Sequence, residues 1–327
     1  MKKGLVILLA AAMVLTALAG CAQEGKSTEI GTDGKLSVVT TIFPAYDFAR
    51  GAAGDLADVT MLIKPGAEVH SFDPTPADII AIQECDVFVY IGGESEAWVD
   101  TVLSSTDMTG KTVIRLMDFV TPVEEETVEG MQEEEHAEDE EPAEDVEHGE
   151  EVEYDEHVWT SPANAAQMVE AVGDGFAAAD SVNADGYKTN AKEYADQIRE
   201  VDAQIAAVVE AAPRKLILVA DRFPFRYMVE EFGLDYYAAF SGCSAESDVT
   251  AGTMAFLIDK VEEYDIQYVY YIELSNQQVA KAVCEATGAQ MLLLHSCHNV
   301  TKDEFEAGET YLSLMQNNVE ALRKGLN

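Results

Sequence analysis

The chain has 327 residues, 61 of them acidic against 20 basic, for a formal net charge of -41 at pH 7. So large an acidic excess repels phosphate and excludes nucleic acid as a natural partner, while it suits cations. The length exceeds one ordinary domain, and a hydrophobic content of 48% is enough for two cores.

Lys2 and Lys3 form a basic start, followed by an almost unbroken apolar run from Leu5 to Leu18. The run is too short to cross a membrane and has the length of a signal-peptide core. It ends in Leu18-Ala19-Gly20-Cys21, which resembles the bacterial lipobox. Residues 1–20 then read as a signal peptide, Cys21 as the lipidated first residue of the mature chain, and residues 21–34 as a flexible tether. No later stretch is long and apolar enough to span a bilayer. The expectation is an exported bacterial lipoprotein, monomeric and held at the outer face of the cytoplasmic membrane through its lipid.

Apolar, β-branched runs then alternate with helical patterns in two sets. The first set lies at 36–40, 58–63, 86–91 and 113–116; the second at 215–220, 235–240, 268–272 and 290–294. Near-continuous apolar strands separated by helices indicate parallel sheets covered on both faces. The fold class is therefore α/β, with two domains (35–182 and 213–327), each built on a four-stranded parallel sheet flanked by helices. Thr75-Pro76 and Ser161-Pro162 are helix starts, each a capping residue before proline at the first helical position. Between the domains, residues 183–212 carry an apolar stripe at Ala191, Tyr194, Ile198, Val201, Ile205 and Val208, spaced three and four apart. Pro213 stops this helix. A single rigid rod joining two lobes predicts small relative motions.

An insert in the first domain, residues 123–156, holds 19 Asp or Glu with His136 and His148 and no Lys or Arg. It reads as a disordered acidic loop, either a solvated insert or a collector of metal beside the cleft. Cys85 and Cys284 lie in apolar segments and read as core thiols. Cys243 and Cys297 lie near cleft-facing strand ends, where an exported protein can hold a disulfide; thiolate coordination is the alternative.

The chemistry concentrates at strand ends. His70 follows the second strand, His157 precedes the Ser161-Pro162 helix, and Asp221 follows the first strand of the second domain. His295 and His298 follow the last strand. Most of these positions lie just past the carboxyl end of a parallel strand, where α/β folds place ligands. Imidazoles with a carboxylate suit a borderline cation such as Zn²⁺ in tetrahedral geometry. His298 rivals His295 as a ligand or orients it. Trp159, Phe223, Phe225 and Tyr227 read as core or cleft wall. The reading from another class is a zinc-dependent hydrolase, with Glu246 as base, but no His-Glu-x-x-His pattern is present.

Several segments together resemble a known family. They are Thr41-Ile42-Phe43-Pro44-Ala45-Tyr46-Asp47-Phe48-Ala49, Lys64-Pro65-Gly66-Ala67-Glu68-Val69-His70-Ser71-Phe72-Asp73-Pro74-Thr75-Pro76, and Ile91-Gly92-Gly93. To these add Asp155-Glu156-His157-Val158-Trp159-Thr160-Ser161-Pro162 and Tyr311-Leu312-Ser313-Leu314-Met315-Gln316-Asn317-Asn318-Val319. They resemble the zinc and manganese solute-binding proteins of ABC importers, and the acidic, histidine-bearing insert resembles the zinc-selective branch. The resemblance implies capture without catalysis and delivery of the ion to the importer's membrane subunits. It implies His70 and His157 as first and second ligands. Asp221 stands at the third position, where the family has histidine or glutamate, and His295 at the fourth, often aspartate. Three imidazoles and one carboxylate favour Zn²⁺, with Mn²⁺ the alternative. No feature calls for an adhesin that merely retains this fold.

Overall fold

The computed structural model describes residues 34–132, 153–244 and 248–327. Cys21, the leader, all but the last residue of the tether, the central part of the acidic insert with His136 and His148, and Glu246 lie outside the described residues. The first lobe holds a parallel sheet of β1 (Leu36–Thr40), β2 (Ala57–Met61), β3 (Val87–Tyr90) and β4 (Thr112–Arg115), in the order β2-β1-β3-β4. The second holds β5 (Leu216–Arg222), β6 (Asp235–Phe240), β7 (Tyr268–Tyr271) and β8 (Gln290–Leu293), in the matching order β6-β5-β7-β8. Strand order reverses between β1 and β3 and between β5 and β7. The crevices beyond the carboxyl ends there are the natural ligand sites of such sheets.

The sequence forms these strands because it covers both faces. All four residues of β3, Val-Phe-Val-Tyr, are buried, as a central parallel strand requires. The first-lobe helices are α1 (Phe43–Ala53), α2 (Pro76–Glu84), α3 (Ala97–Ser105) and α4 (Pro162–Ala179). Both expected caps are present. Thr75 and Asp78 form a reciprocal capping box at α2, and the Ser161 hydroxyl accepts from the Asn164 N–H at 3.0 Å to open α4.

The long helix α5 (Ala184–Ala211) runs 28 residues, on the order of 42 Å at about 1.5 Å per residue. It buries Tyr187, Ala191, Ala195, Ile198, Val201, Ile205 and Val209. That is the expected stripe, with Tyr194 and Val208 at its half-buried edge. One apolar cluster includes this stripe, α1, α4 and second-lobe residues such as Val219, Tyr270 and Leu322. The two lobes therefore share a core along α5.

The second lobe adds α6 (Arg226–Phe232), α7 (Ala251–Glu263), α8 (Gln278–Thr287), α9 (Lys302–Ala307) and α10 (Tyr311–Gly325). The start of α10 reaches into the first lobe. Tyr311 N–H donates to the buried Asp47 carboxylate at 2.9 Å, and the Tyr311 ring meets Phe48 edge-on at 5.1 Å.

The acidic insert is more ordered at its base than composition implies. Glu124 and Tyr154 form an antiparallel bridge, and Met131 is buried. Gln132 N–H donates to Ala239 O at 2.9 Å, and its side chain accepts from Thr250 N–H at 3.0 Å. Residues 123–132 and 153–156 are thus folded against the second lobe, and the expectation of disorder across 123–156 is corrected for both flanks. Tertiary hydrogen bonds to β6 and α7 supply what the sequence lacks in apolar residues.

Candidate metal centre

Three imidazoles meet where the lobes face one another. Ring centroids lie 5.9 Å apart for His70 and His157, 4.9 Å for His70 and His298, and 5.2 Å for His157 and His298. One donor atom from each, with a carboxylate oxygen of Glu156, falls within 4.8 Å of the others. The residues offered are nitrogen and oxygen donors of the kind that hold Zn²⁺.

Each first-lobe imidazole is held by a partner that sets its tautomer. His70 Nδ1 lies 2.7 Å from Ser95 Oγ. The Ser95 hydroxyl itself donates to Glu156 Oε1 in a short hydrogen bond, so Ser95 accepts from His70 Nδ1–H and leaves Nε2 as the donor to a metal. Glu156 Oε2 accepts from Ser95 N–H at 2.9 Å. Gly93 makes room for this carboxylate: at φ 120° it adopts a conformation open to glycine, and a Cβ there would stand 2.5 Å from Glu156 Cβ. His157 Nδ1 lies 3.2 Å from Asp155 Oδ1. Its Nε2 is buried with no hydrogen-bond partner among the described residues. A buried nitrogen left without a partner is costly, and a metal ion satisfies it. The second lobe presses on this ring through Gly242, where a Cβ would lie 3.0 Å from His157 Cε1.

The electrostatics keep two of the rings neutral, the state a metal needs. Burial, with neighbouring His157 and Arg222, pushes His70 down to about 3. Burial, with His70, His157 and Arg222, holds His298 well below the ordinary imidazole value. For His157 burial also opposes the charge, but Asp155, by charge and hydrogen bond, together with Glu156 and Glu125, raises it overall. Trp159 closes the floor of the site, 4.9 Å from the His298 ring, and its Nε1–H crosses to Ser296 O at 2.8 Å.

The other nominated residues stand elsewhere. His295 Nδ1 accepts from Cys297 N–H at 2.9 Å, and its backbone N–H donates to Asn318 at 2.8 Å. Its Nε2, also buried without a hydrogen-bond partner among the described residues, faces Glu304 at 3.9 Å, outside the cluster of four donors. The chain turns between the two histidines at Cys297, which has φ 60°. That turn sends His298 to the cluster and keeps His295 against α9 and α10. Asp221 accepts from Arg222 N–H at 2.9 Å and Ile272 N–H at 3.5 Å, and lines a neighbouring polar cavity. The β5 side chain that joins the wall of the histidine cavity is Arg222. Successive residues of a strand point opposite ways, so Asp221 turns toward the polar cavity and stands outside the histidine cluster.

Cys243 and Cys297 are free thiols, not a disulfide. Burial pushes both upward, with nearby acids adding to it, so neither favours thiolate coordination. Glu156 was not singled out beforehand. Its signal lay in the sequence, as the acid immediately before a ligand histidine.

A family model described as "zinc-uptake complex component A, periplasmic" matches residues 38–325. The chain belongs to this family. It is similar to the zinc-binding protein AdcA of Streptococcus pyogenes, at 31% identity over 99% of this chain and 61% of that protein. The chain therefore spans about three fifths of the streptococcal relatives' length. The Bacillus subtilis high-affinity zinc uptake system protein ZnuA is similar at 29% identity, over 99% of this chain and 97% of that protein. In structure, the family resemblance extends to the Zn(II)-bound ZnuA-like domain of Streptococcus pneumoniae AdcA, with a TM-score of 0.73 and 27% identity over 90% of this chain and 99% of that one. It extends equally to the metal-dependent lipoprotein YcdH of Bacillus subtilis, with a TM-score of 0.74 and 27% identity over 90% and 100%.

Proposed function

We propose that this chain is an extracytoplasmic receptor that captures Zn²⁺ between its lobes and passes it to the membrane subunits of an ABC importer. The observation that carries the reading is the triangle of His70, His157 and His298, with the buried Nε2 of His157 aimed at no protein partner. Three imidazoles at one point suit zinc over manganese, which takes more oxygen. The names of the streptococcal and Bacillus relatives support the same cargo. Family membership supports binding without catalysis. Among the described residues no helix is long and apolar enough to cross a membrane. Attachment then rests on a lipid at Cys21, a reading supported by relatives named as lipoproteins.

His70, His157 and His298 replace water around the ion, and Ser95 and Asp155 hold the two first-lobe rings in the binding tautomer. The lobes meet over the ion through His298, and the loaded form is what the importer recognises. The test is metal analysis of the purified mature chain followed by calorimetric competition between zinc and manganese. One zinc per chain, bound more tightly than manganese and lost in His157→Ala, is the expected result. Unchanged zinc affinity in that variant, or preference for manganese, contradicts it.

A further inference from the structure

Arg222 is an unexpected neighbour for a cation site. Its guanidinium lies at the end of β5, in the wall of a cavity of about 40 Å³ shared with His70, His157 and His298. Its ion pair there is Glu68 Oε1 at 3.7 Å, a loose contact with a half-exposed acid, and Glu68 also accepts from Val69 N–H at 3.2 Å. On the far side, Arg222, Glu68 and Leu274 border a second cavity of about 240 Å³, lined by Asp221, Ser275, Asn276, Gln277 and Gln278. The guanidinium therefore stands between the histidine cluster and a polar chamber with room for a small ligand.

The acids beside the imidazoles are held by neighbouring serines. Both oxygens of Glu156 are engaged by Ser95. Glu273, the other acid bordering the cluster, accepts from Ser296 N–H at 2.7 Å and the Ser296 hydroxyl at 2.5 Å, and from His298 N–H at 3.3 Å. Glu156 still lies with the three imidazoles as an oxygen donor, and zinc, four-coordinate in most sites, can expand to five ligands. A divalent ion and a guanidinium in one cavity repel each other unless something negative lies between them. The planar fork of arginine matches a carboxylate or bicarbonate with two parallel hydrogen bonds.

We propose that Arg222 holds a small oxygen-donor anion, a bicarbonate or simple carboxylate, that adds an oxygen ligand from outside the protein, so that the ion is captured together with an anion. This rests on the zinc-receptor reading and deepens it. The anion spans from the Arg222 guanidinium to the metal, and its charge offsets both.

The test titrates zinc into the metal-free mature chain by calorimetry, in a buffer whose only anion is perchlorate, then with millimolar bicarbonate or acetate added. Wild type, Arg222→Gln and Arg222→Lys are compared in the same buffers, so anion complexes of zinc in solution cancel. The expected result is affinity about tenfold or more higher with anion in wild type, the range that a ligand-supporting partner contributes. Arg222→Gln is expected to lose that gain and Arg222→Lys to keep part of it. A larger response to bicarbonate than to acetate, or the reverse, identifies which anion the site takes. An equal response in wild type and Arg222→Gln, or none in wild type, overturns the proposal while leaving the receptor reading intact. Absence of zinc binding in every buffer overturns both.

Discussion

In the first lobe Glu156 accepts from the backbone N–H and the hydroxyl of Ser95, and in the second lobe Glu273 accepts from the same two groups of Ser296. Both clamps sit at the crevice where strand order reverses. Their outputs differ. The first-lobe clamp extends through Ser95 Oγ to an imidazole nitrogen and fixes a ligand's tautomer. The second-lobe clamp reaches His298 through its backbone and lies 3.6 Å from the His295 ring nitrogen, and the neighbouring strand end adds a guanidinium. On the proposed reading the first lobe offers two imidazoles oriented by side-chain partners, while the second offers one imidazole and a guanidinium.

The largest expected effects come from the rings themselves. His157→Ala and His298→Ala each lower zinc affinity by at least about 100-fold, beyond the range of orienting partners. His295→Ala serves as the contrast, changing zinc affinity by less than about threefold while lowering the melting temperature, because it removes a buried hydrogen-bonded ring. Equal losses in His295→Ala and His298→Ala by calorimetry would break the assignment of His298 as the second lobe's ligand.

Next come the clamps. Ser95→Ala lowers affinity about 10- to 100-fold by freeing the His70 tautomer, whereas Ser296→Ala costs less, because it touches His298 only through the backbone. A reversed order would contradict the asymmetry between the lobes.

Acid sharpens the same comparison. His70 and His298 are held neutral far below pH 7, while His157 is raised. Zinc binding near neutral pH is then expected to release fewer than three protons, drawn chiefly from His157. Calorimetry in buffers of different ionisation heats measures this number. In the metal-free protein His70 has a folded value of about 3 against 6.5 unfolded. Only the unfolded chain takes up that proton between these values, so the His70 contribution to stability falls as pH drops through the window. His70→Ala flattens this slope in melting experiments.

Much of the frame was legible because it rests on local patterns. Strand runs, caps and the stripe of α5 are periodicities that short segments carry by themselves. His70 and His157 were legible as candidates because each lies within a recognisable motif. The choice between His295 and His298 was not, since it depends on a left-handed turn at Cys297 and on Asn318, which holds His295 from α10. The place of Asp221 outside the cluster depends on which side of β5 faces the cleft, and one residue of register reverses it. The ordered base of the insert escaped composition because its hydrogen bonds go to residues about a hundred positions away.

The most direct measurement is anomalous diffraction at the zinc edge from crystals of the metal-loaded mature chain. The account predicts one zinc bound by Nε2 of His70, Nε2 of His157 and a ring nitrogen of His298, with Asp221 and His295 apart from it. Zinc held by Asp221 or His295 in place of His298 would contradict it.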